Sequence, residues 1–347
     1  MKTKVLNAKG EEVILNERDS RVAQYNQKIV NDLGFNIDIT ALTTIMASVV
    51  EQKFFEIAPA DYIPVRVGEG SWSEVLTTYR SFETGGDFEA GLVNTGSDNA
   101  RLASATAGID SVNIKVRDWA KQVTWSLMEL EKASKAGNWD IVMAKQKARK
   151  KNWDLGIQRV AFLGLKGAGS AGTRGLLEQV GITTNTTRIT KFIKDMTPTE
   201  LKAFVAGILG DYRENCQYTA WPTHFVIPEK DYLGLAAQSS PDFPVKSTLA
   251  LLEESFKLIT KNDSFKILPL AYANKQQNKL DGVATGKNRY ALYNYNEDSI
   301  RMDIPVDYTA TAANSVNSFQ FQNVGYGQFT GLLAYRPKEM LYFDHQV

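Results

Sequence analysis

Residues 83–110, ETGGDFEAGLVNTGSDNARLASATAGID, are the feature that most restricts how this chain can fold. The segment is rich in Gly, Ala, Asn, Ser and Thr and holds little that could build a core. Structureless connections longer than about 12–15 residues are uncommon inside a compact domain. A stretch of this kind is a lid, a disordered linker, or an arm that packs against another subunit, and that choice largely decides what the protein does.

The segment is flanked by strand-like runs. Residues 72–82, WSEVLTTYRSF, carry the Val, Thr, Tyr and Phe content that favours a strand. After it, Val112, Ile114 and Val116 alternate with Asn113, Lys115 and Arg117, and Trp119, Val123 and Trp125 continue the period of two. Two strands joined by the segment make an extended ribbon. A two-stranded ribbon is marginal by itself in water, so it needs something to lie on.

Before the ribbon, residues 1–60 read as mostly helical with a loose start. Asp38 can cap a helix in which Ile39, Leu42, Met46, Val49, Val50 and Ile57 recur at helical spacing, ending at Pro59 and Pro64. Residues 126–165 read as a long helix, interrupted near Gly137-Asn138, with Trp153, Ile157, Val160 and Ala161 on compatible faces. About 25 helical residues would span roughly 40 Å, enough for a structural spine. Thr197-Pro198-Thr199-Glu200 combines a capping box with proline at the first helical position. Leu201, Phe204, Val205, Ile208, Leu209 and Tyr212 then form one apolar face. Residues 223–227 read as a short buried strand, and Ser247 caps a helix that turns Leu249, Leu252, Phe256 and Ile259 inward. Strands at 265–270 and 289–295 complete an α/β unit. Ile300, Met302, Ile304 and Val306 alternate, and 329–335 and 340–343 close a strand-rich C-terminus that is expected to pair with the long helix.

The 347 residues are 43% hydrophobic and 23% charged, ample for a buried core and about two domains. A net charge of +1 gives no global field toward nucleic acid or membrane. One cysteine, Cys216, excludes an intramolecular disulfide, and two histidines beside it make a Cys/His zinc cluster a poor fit. No apolar run reaches the ~18–20 residues needed to span a bilayer, and the N-terminus lacks the apolar core of a signal peptide.

Chemistry is sparse. Residues 167–172, GAGSAG, match G-x-G-x-x-G, but the phosphate-binding version needs a strand before it and a helix after it, so a turn is the better reading. The densest basic run, KQKARKK, offers Lys145, Lys147, Arg149, Lys150 and Lys151 as candidate phosphate-facing groups, against the plainer reading of a solvated helix face. His224 sits in the expected buried strand and His345 near the C-terminus, and neither pairs with a nucleophile at a recognisable spacing. No catalytic, cofactor-binding or metal site is expected.

Several stretches carry a family resemblance. Residues 125–133, WSLMELEKA, then Gly137, Asp154-Leu155-Gly156-Ile157, Phe162-Leu163-Gly164 and Gly175-Leu176 are similar to a subgroup of tailed-phage major capsid proteins of the Hong Kong 97 type. FVIPEKDYLGLA at 225–236 resembles that family's axial domain, and GLLAYRPKEM at 331–340 its final strands. The resemblance implies an α+β fold with an N-terminal arm at 1–70, an extended two-stranded loop at 71–125, and a spine helix with part of a peripheral domain at 126–196. It further implies an axial α/β domain at 197–300 and C-terminal strands at 301–347 returning to the peripheral domain.

It implies a structural subunit, not an enzyme, that self-assembles into an icosahedral shell around a double-stranded DNA phage genome. Its place would be the virion, assembled in the host cytoplasm. The implied partners are further copies in pentamers and hexamers, portal, scaffold and decoration proteins, and packaged DNA held without sequence readout; no cofactor and no membrane are implied. Some family members fuse their shells through Lys–Asn bonds, but residues 83–110 contain no lysine, so non-covalent packing is expected. No separate cleavable scaffolding segment is expected at the N-terminus. Intersubunit contacts are expected from Tyr79, Phe82 and Phe88, with charged contacts from Arg101 and Arg117, because aromatic residues and arginine concentrate at interfaces. Three other readings stand beside this one: an encapsulin-like compartment of the same fold, a soluble enzyme with 83–110 as an active-site lid, and a phage tail or connector component.

Overall fold

A computed structural model describes residues 3–6, 12–15, 56–84, 106–135, 140–165, 173–240, 243–280, 283–317 and 319–346. The chain divides into two units, Met1–Phe55 and Glu56–Val347. In the first, a hairpin pairs Thr3–Leu6 with Glu12–Leu15 in antiparallel register. The helix expected from Asp38 through Ile57 lies outside the described residues as far as 55, and residues 56–58 are not helical; Gly137-Asn138 and the GAGSAG run also lie outside the described residues. On either side of that run, Gly164–Leu165 and Thr173–Arg174 pair as short antiparallel strands, and no helix follows to present its N-terminus to a phosphate.

In the second unit, the long helix is two pieces. Ser126 ends a strand, and its hydroxyl accepts the Glu129 N–H at 3.2 Å, so the first helix begins only at Leu127 and runs to Lys135. Asp140 then caps the spine helix, Ile141–Phe162, by accepting the N–H groups of Val142 and Met143. Its 22 residues span about 33 Å. The spacing of Arg149, Trp153, Ile157, Val160 and Ala161 puts them on one buried face.

That face lies on an antiparallel sheet. Strand Gln320–Phe329 pairs along its whole length with Arg117–Ser126, and on its other side with Val306–Ala310 and Asn314–Asn317. Trp153 packs between Trp119 and Phe329, at 5.2 and 5.9 Å between ring centroids. Two glycines make this approach feasible. A Cβ on Gly327 would stand 2.6 Å from the Trp153 ring, and one on Gly325 would stand 2.6 Å from Arg149 Nε.

The α/β part has a five-stranded sheet in the order Lys266–Leu270, His224–Pro228, Lys287–Tyr293, Met340–Gln346, Thr183–Asn185. Helices Pro198–Asn215, Glu229–Ala237 and Thr248–Thr260 belong to it. The expected capping box forms, with Glu200 accepting the Thr197 N–H at 2.7 Å and Thr197 Oγ1 accepting the Glu200 N–H. Ser247 caps its helix as expected, but Ile259 is exposed and Thr260 takes the inward place, because Leu252, Phe256 and Thr260 follow the four-residue step.

Strand Met340–Gln346 departs from expectation. It lies within the five-stranded sheet, paired with Lys287–Tyr293 from Tyr293↔Met340 to Lys287↔Gln346, and not in a sheet of the other C-terminal strands, while Met340 and Tyr342 still share an apolar cluster with the spine helix. Its near-continuous apolar run, Met340-Leu341-Tyr342-Phe343, is buried throughout, which suits a strand covered on both faces. Two apolar clusters result: one joins the spine helix to Ile300, Met302 and Phe329 and to one face of the five-stranded sheet through Val226, Tyr293, Met340 and Tyr342, and the other fills the space between the sheet's opposite face and its helices.

Candidate intersubunit ribbon

Strand Val75–Thr84 pairs with Thr106–Lys115 at all ten positions, from Val75↔Lys115 to Thr84↔Thr106, without a bulge. At about 3.4 Å per residue the ribbon is some 30 Å long. The ladder takes in Glu83 and Thr84 at one end of the weakly hydrophobic segment and Thr106 to Asp110 at the other, which its composition did not announce; backbone hydrogen bonds continue where side chains carry no strand signal. The N-terminal strand starts at Val75, not Trp72. Trp72 sits in a turn with φ 63°, its N–H donates to Gln328 Oε1 at 2.8 Å, and its ring leans on Tyr326.

The expected second strand, 112–125, is two strands that change partner at Val116. The Val116 N–H donates to the Glu74 carbonyl at 2.9 Å, closing the ribbon's root. On the ribbon side no residue of Thr106–Lys115 is buried. On the other side Arg117–Ser126 buries Val123 and Trp125 against the body.

Strand alternation gives the ribbon two unlike faces. Thr78 and Arg80 face the subunit's own body. Thr78 Oγ1 lies 3.3 Å from the Tyr335 hydroxyl, and Arg80 donates to the Tyr335 carbonyl at 2.8 Å. Arg301 donates to both Thr78 Oγ1 and the Tyr335 hydroxyl, and stacks its guanidinium 4.9 Å above the Tyr335 ring. The opposite face carries Val75, Tyr79 and Ile109, with Tyr79 72% and Ile109 74% exposed.

Of the expected contact residues, Tyr79 is therefore outward and exposed. Phe82 is in the ladder opposite Gly108. Phe88 and Arg101 lie outside the described residues. Arg117 is half-buried at the start of the body-bound strand, and its Nε has no hydrogen-bond partner among the described residues. Sequence reasoning missed Ile109 and Val75. The signal was present in the ladder parity, since Ile109 stands two residues from Ser111, the partner of Tyr79, but reading it required the register.

A cleft runs between the ribbon's root and the body, bordered by Arg80, Asp110, Glu297, Asp298, Arg301 and Arg336 among others, and its lining holds no histidine or cysteine. Most of these charges are paired: Arg80 with Asp110 at 3.8 Å, Glu297 with Arg66 at 2.7 Å, Arg301 with Asp303 at 3.0 Å and Arg336 with Glu339 at 3.3 Å.

The basic run is split by the helix. Arg149 points inward with 2% exposure, donating to the Tyr308 hydroxyl at 2.8 Å and to Asn323 Oδ1 at 2.8 Å. It thus cannot face a phosphate from this subunit, which corrects the sequence expectation; the helical step from Arg149 to Trp153 and Ile157 carries it to the packed face. Lys145 is held by Glu129 at 3.0 Å and by the Thr124 carbonyl, and Lys151 by Glu56 at 3.4 Å. Lys147 and Lys150 lie on the exposed side.

The remaining titratable groups serve the interior. Burial, and to a lesser degree Lys266, pushes the His224 imidazole down to about 4, where it stacks between Tyr293 and Tyr295. Asp231 is fully buried, and burial raises its carboxyl even though it accepts hydrogen bonds from Ile193 N, Lys194 N and the Tyr290 hydroxyl. Cys216 is a buried thiol directed at the Arg213 and Ala220 carbonyls. Among the described residues no group of three His, Cys, Asp or Glu could hold a metal, and no helix is long and apolar enough to cross a membrane.

The fold has counterparts among solved structures. It is similar to a chain of the capsid of Myoviridae phage XM1, with a TM-score of 0.71 at 18% identity, covering 90% of this chain and 99% of that one. It is also similar to chains from Mycobacterium phage Ogopogo (TM-score 0.55, 10% identity, 91% and 98% covered) and Microbacterium phage Oxtober96 (0.55, 9%, 89% and 97%). No curated protein matches the chain significantly. The Hong Kong 97-type α+β capsid fold expected from the sequence is thus the fold observed. The family model described as "Major capsid protein" matches residues 89–345, which include half of the ribbon, the spine helix and most of both apolar clusters. The chain belongs to the major capsid protein family and is a structural subunit of a capsid shell.

Proposed function

We propose that the protein tiles an icosahedral shell around a double-stranded DNA phage genome, and that each ribbon gains its order by lying on a neighbouring copy. The observation that carries this reading is the ribbon's two-faced character. One face is bonded to Tyr335 and Arg301 of its own body, while the other shows Val75, Tyr79 and Ile109 to the outside. A two-stranded ribbon is marginal by itself in water, and a neighbour supplies cover for the face that its own body leaves open. Each subunit then offers unlike surfaces to unlike neighbours, which is the geometry that closes rings.

In this reading 71–125 is the extended loop, 126–196 the spine and part of a peripheral domain, and 197–300 the axial domain, with the last strand, Met340–Gln346, joining the axial sheet. Phe82, Phe88, Arg101 and Arg117 remain proposed contact residues. Lys147 and Lys150, with Lys151 beside them, remain as groups that could face packaged DNA without sequence readout. Assembly in the host cytoplasm, in pentamers and hexamers, with portal, scaffold and decoration proteins, completes the proposal. The family assignment does not favour an enzyme-filled compartment or a lidded enzyme.

The test is deletion of 85–107 in the full chain. Size-exclusion chromatography and negative-stain microscopy should show particles of tens of nanometres from the unmodified protein and only soluble, folded subunits from the deletion. Complete shells from the deleted chain would overturn the role of the ribbon.

A further inference from the structure

The ribbon is joined to its own body at two places, its root and one point a few residues beyond it. At the root, the buried side chain of Gln328 accepts the Trp72 N–H at 2.8 Å and donates to Asp118 at 2.7 Å. One amide thus pins the chain just before the first ribbon strand and just after the second. Past the root the ribbon has little else to rest on. No residue of Thr106–Lys115 is buried, and of residues 75–81 only Leu76 and Thr78 are even half-buried. The cleft between ribbon and body, about 580 Å³, leaves open space at this level.

The second attachment is a single buried tyrosine. The Tyr335 hydroxyl stands 3.3 Å from Thr78 Oγ1, and the Tyr335 carbonyl accepts from Arg80 at 2.8 Å. Thr78 and Arg80 are successive inward residues of one strand, about 7 Å apart, so Tyr335 meets both at once. Arg301 braces this post. Its guanidinium stacks 4.9 Å from the centre of the Tyr335 ring and donates to the Tyr335 hydroxyl at 2.9 Å and to Thr78 Oγ1 at 3.3 Å. Asp303 balances the charge of Arg301 at 3.0 Å, and Thr330 Oγ1 accepts the Asp303 N–H. The side chains of Arg301 and Asp303 are only 11% and 6% exposed, so the brace is set into the body.

We propose that Tyr335 and Arg301 are positioning residues that fix the angle at which the ribbon leaves its own subunit and so aim it at the neighbouring copy. A root alone lets a two-stranded ribbon tilt; a second fixed point removes that freedom. The clasp at Thr78 lies about 10 Å beyond Val75 and the end of the ladder at Thr84 about 30 Å beyond it, so play at the clasp is magnified about threefold at the far end. That leverage calls for a stiff attachment, and a planar guanidinium stacked on a buried ring is one. The clasp is polar and the ribbon keeps its own ladder, so releasing it uncovers no apolar surface and changes direction rather than fold. The inference rests on the shell reading and adds to it the groups that set the ribbon's direction.

The test puts spin labels at two exposed positions of the full chain, Ser81→Cys on the ribbon and Lys338→Cys on the body, with Cys216→Ala as background. Double electron–electron resonance reads the distance between them in soluble subunits before assembly, and negative-stain microscopy reads particle yield and diameter for the unlabelled chain. The parent should give one narrow distance distribution. Two variants remove the clasp from opposite sides: Arg301→Gln with Asp303→Asn on the body, and Thr78→Val with Arg80→Gln on the ribbon. Each should at least double the width of the distribution, lower particle yield at least threefold and spread the diameters of the particles that form. If the body-side pair fails to fold, the ribbon-side pair decides alone; a role of Arg301 confined to the body's own fold would leave that pair without effect. An unchanged width would overturn the clasp. A wider distribution with normal, uniform particles would overturn its positioning role and leave the ribbon contact standing. Absence of particles from the unmodified chain would overturn the shell reading and this role with it.

Discussion

Thr106–Lys115 and Arg117–Ser126 are two ten-residue halves of what reads as one strand, and they meet opposite fates. Each is paired along its full length, the first with Val75–Thr84 and the second with Gln320–Phe329. The first half buries nothing; the second buries Val123 and Trp125 and lays Trp119 on Trp153. Their hydrogen-bond ladders are equivalent, so the ladder does not separate them. Apolar cover does: burying a large side chain contributes about 1.5–3 kcal/mol, and only one half receives it within the subunit. Under the proposed function, the second half serves as a root fixed to the body while the first half is left for a neighbouring copy to cover.

The largest effect is expected where the body holds that root. Trp153→Ala would open a void beneath Trp119, Phe329 and Gly327, and should destabilise the subunit by about 3–5 kcal/mol in urea denaturation. A loss below about 1 kcal/mol would mean that the root is not anchored by this packing.

A smaller effect is expected from acid, again confined to the body. The folded value of His224 lies near 4 and its unfolded value near 6.5, so the unfolded chain takes up the proton first. The contribution is intact above about pH 6.5, declines as the pH falls toward 4, and changes no further below that. The loss should be about 1–3 kcal/mol, and His224→Phe should remove this part of the pH profile. An unchanged profile in the variant would show that the stacked imidazole between Tyr293 and Tyr295 is not the responsible group.

The smallest effect on the isolated subunit is expected on the ribbon's outer face. Tyr79→Ser with Ile109→Ser should move subunit stability by no more than about 0.5 kcal/mol, because both side chains are about three-quarters exposed. The same pair should sharply lower the yield of particles in microscopy. A large stability loss with normal assembly would invert the comparison and make the outer face part of the subunit's own core.

The legible parts of the sequence were those governed by short-range rules. Thr197 and Glu200 announced their helix start because capping satisfies local orphan donors, and Phe204, Val205, Ile208, Leu209 and Tyr212 announced its buried face through the helical period. Tyr79 was chosen as a contact candidate from its type and place, and the structure leaves it exposed. Ile109 was not chosen, because its face is set by pairing with a strand separated by the whole glycine-rich segment. Arg149 looked like one more member of a basic run, since composition does not say which helix face meets the Gly325 strand. The placement of Met340–Gln346 also escaped, because an apolar strand states only that it is covered, not by which sheet.

What the sequence determined alone is the inventory: the capped helices, the alternating strands, and a long segment too poor in apolar residues to fold on its own core. These follow from the conformational preferences and periodicity of neighbouring residues, which act over one or two turns of chain. The tertiary structure alone decided where the long strand changes partner, which face of the ribbon is left uncovered, and that Arg149 turns inward while Lys147 and Lys150 turn outward. Those outcomes depend on contacts between residues more than a hundred positions apart, such as Arg149 with Asn323, and their energy exists only once the surfaces have met.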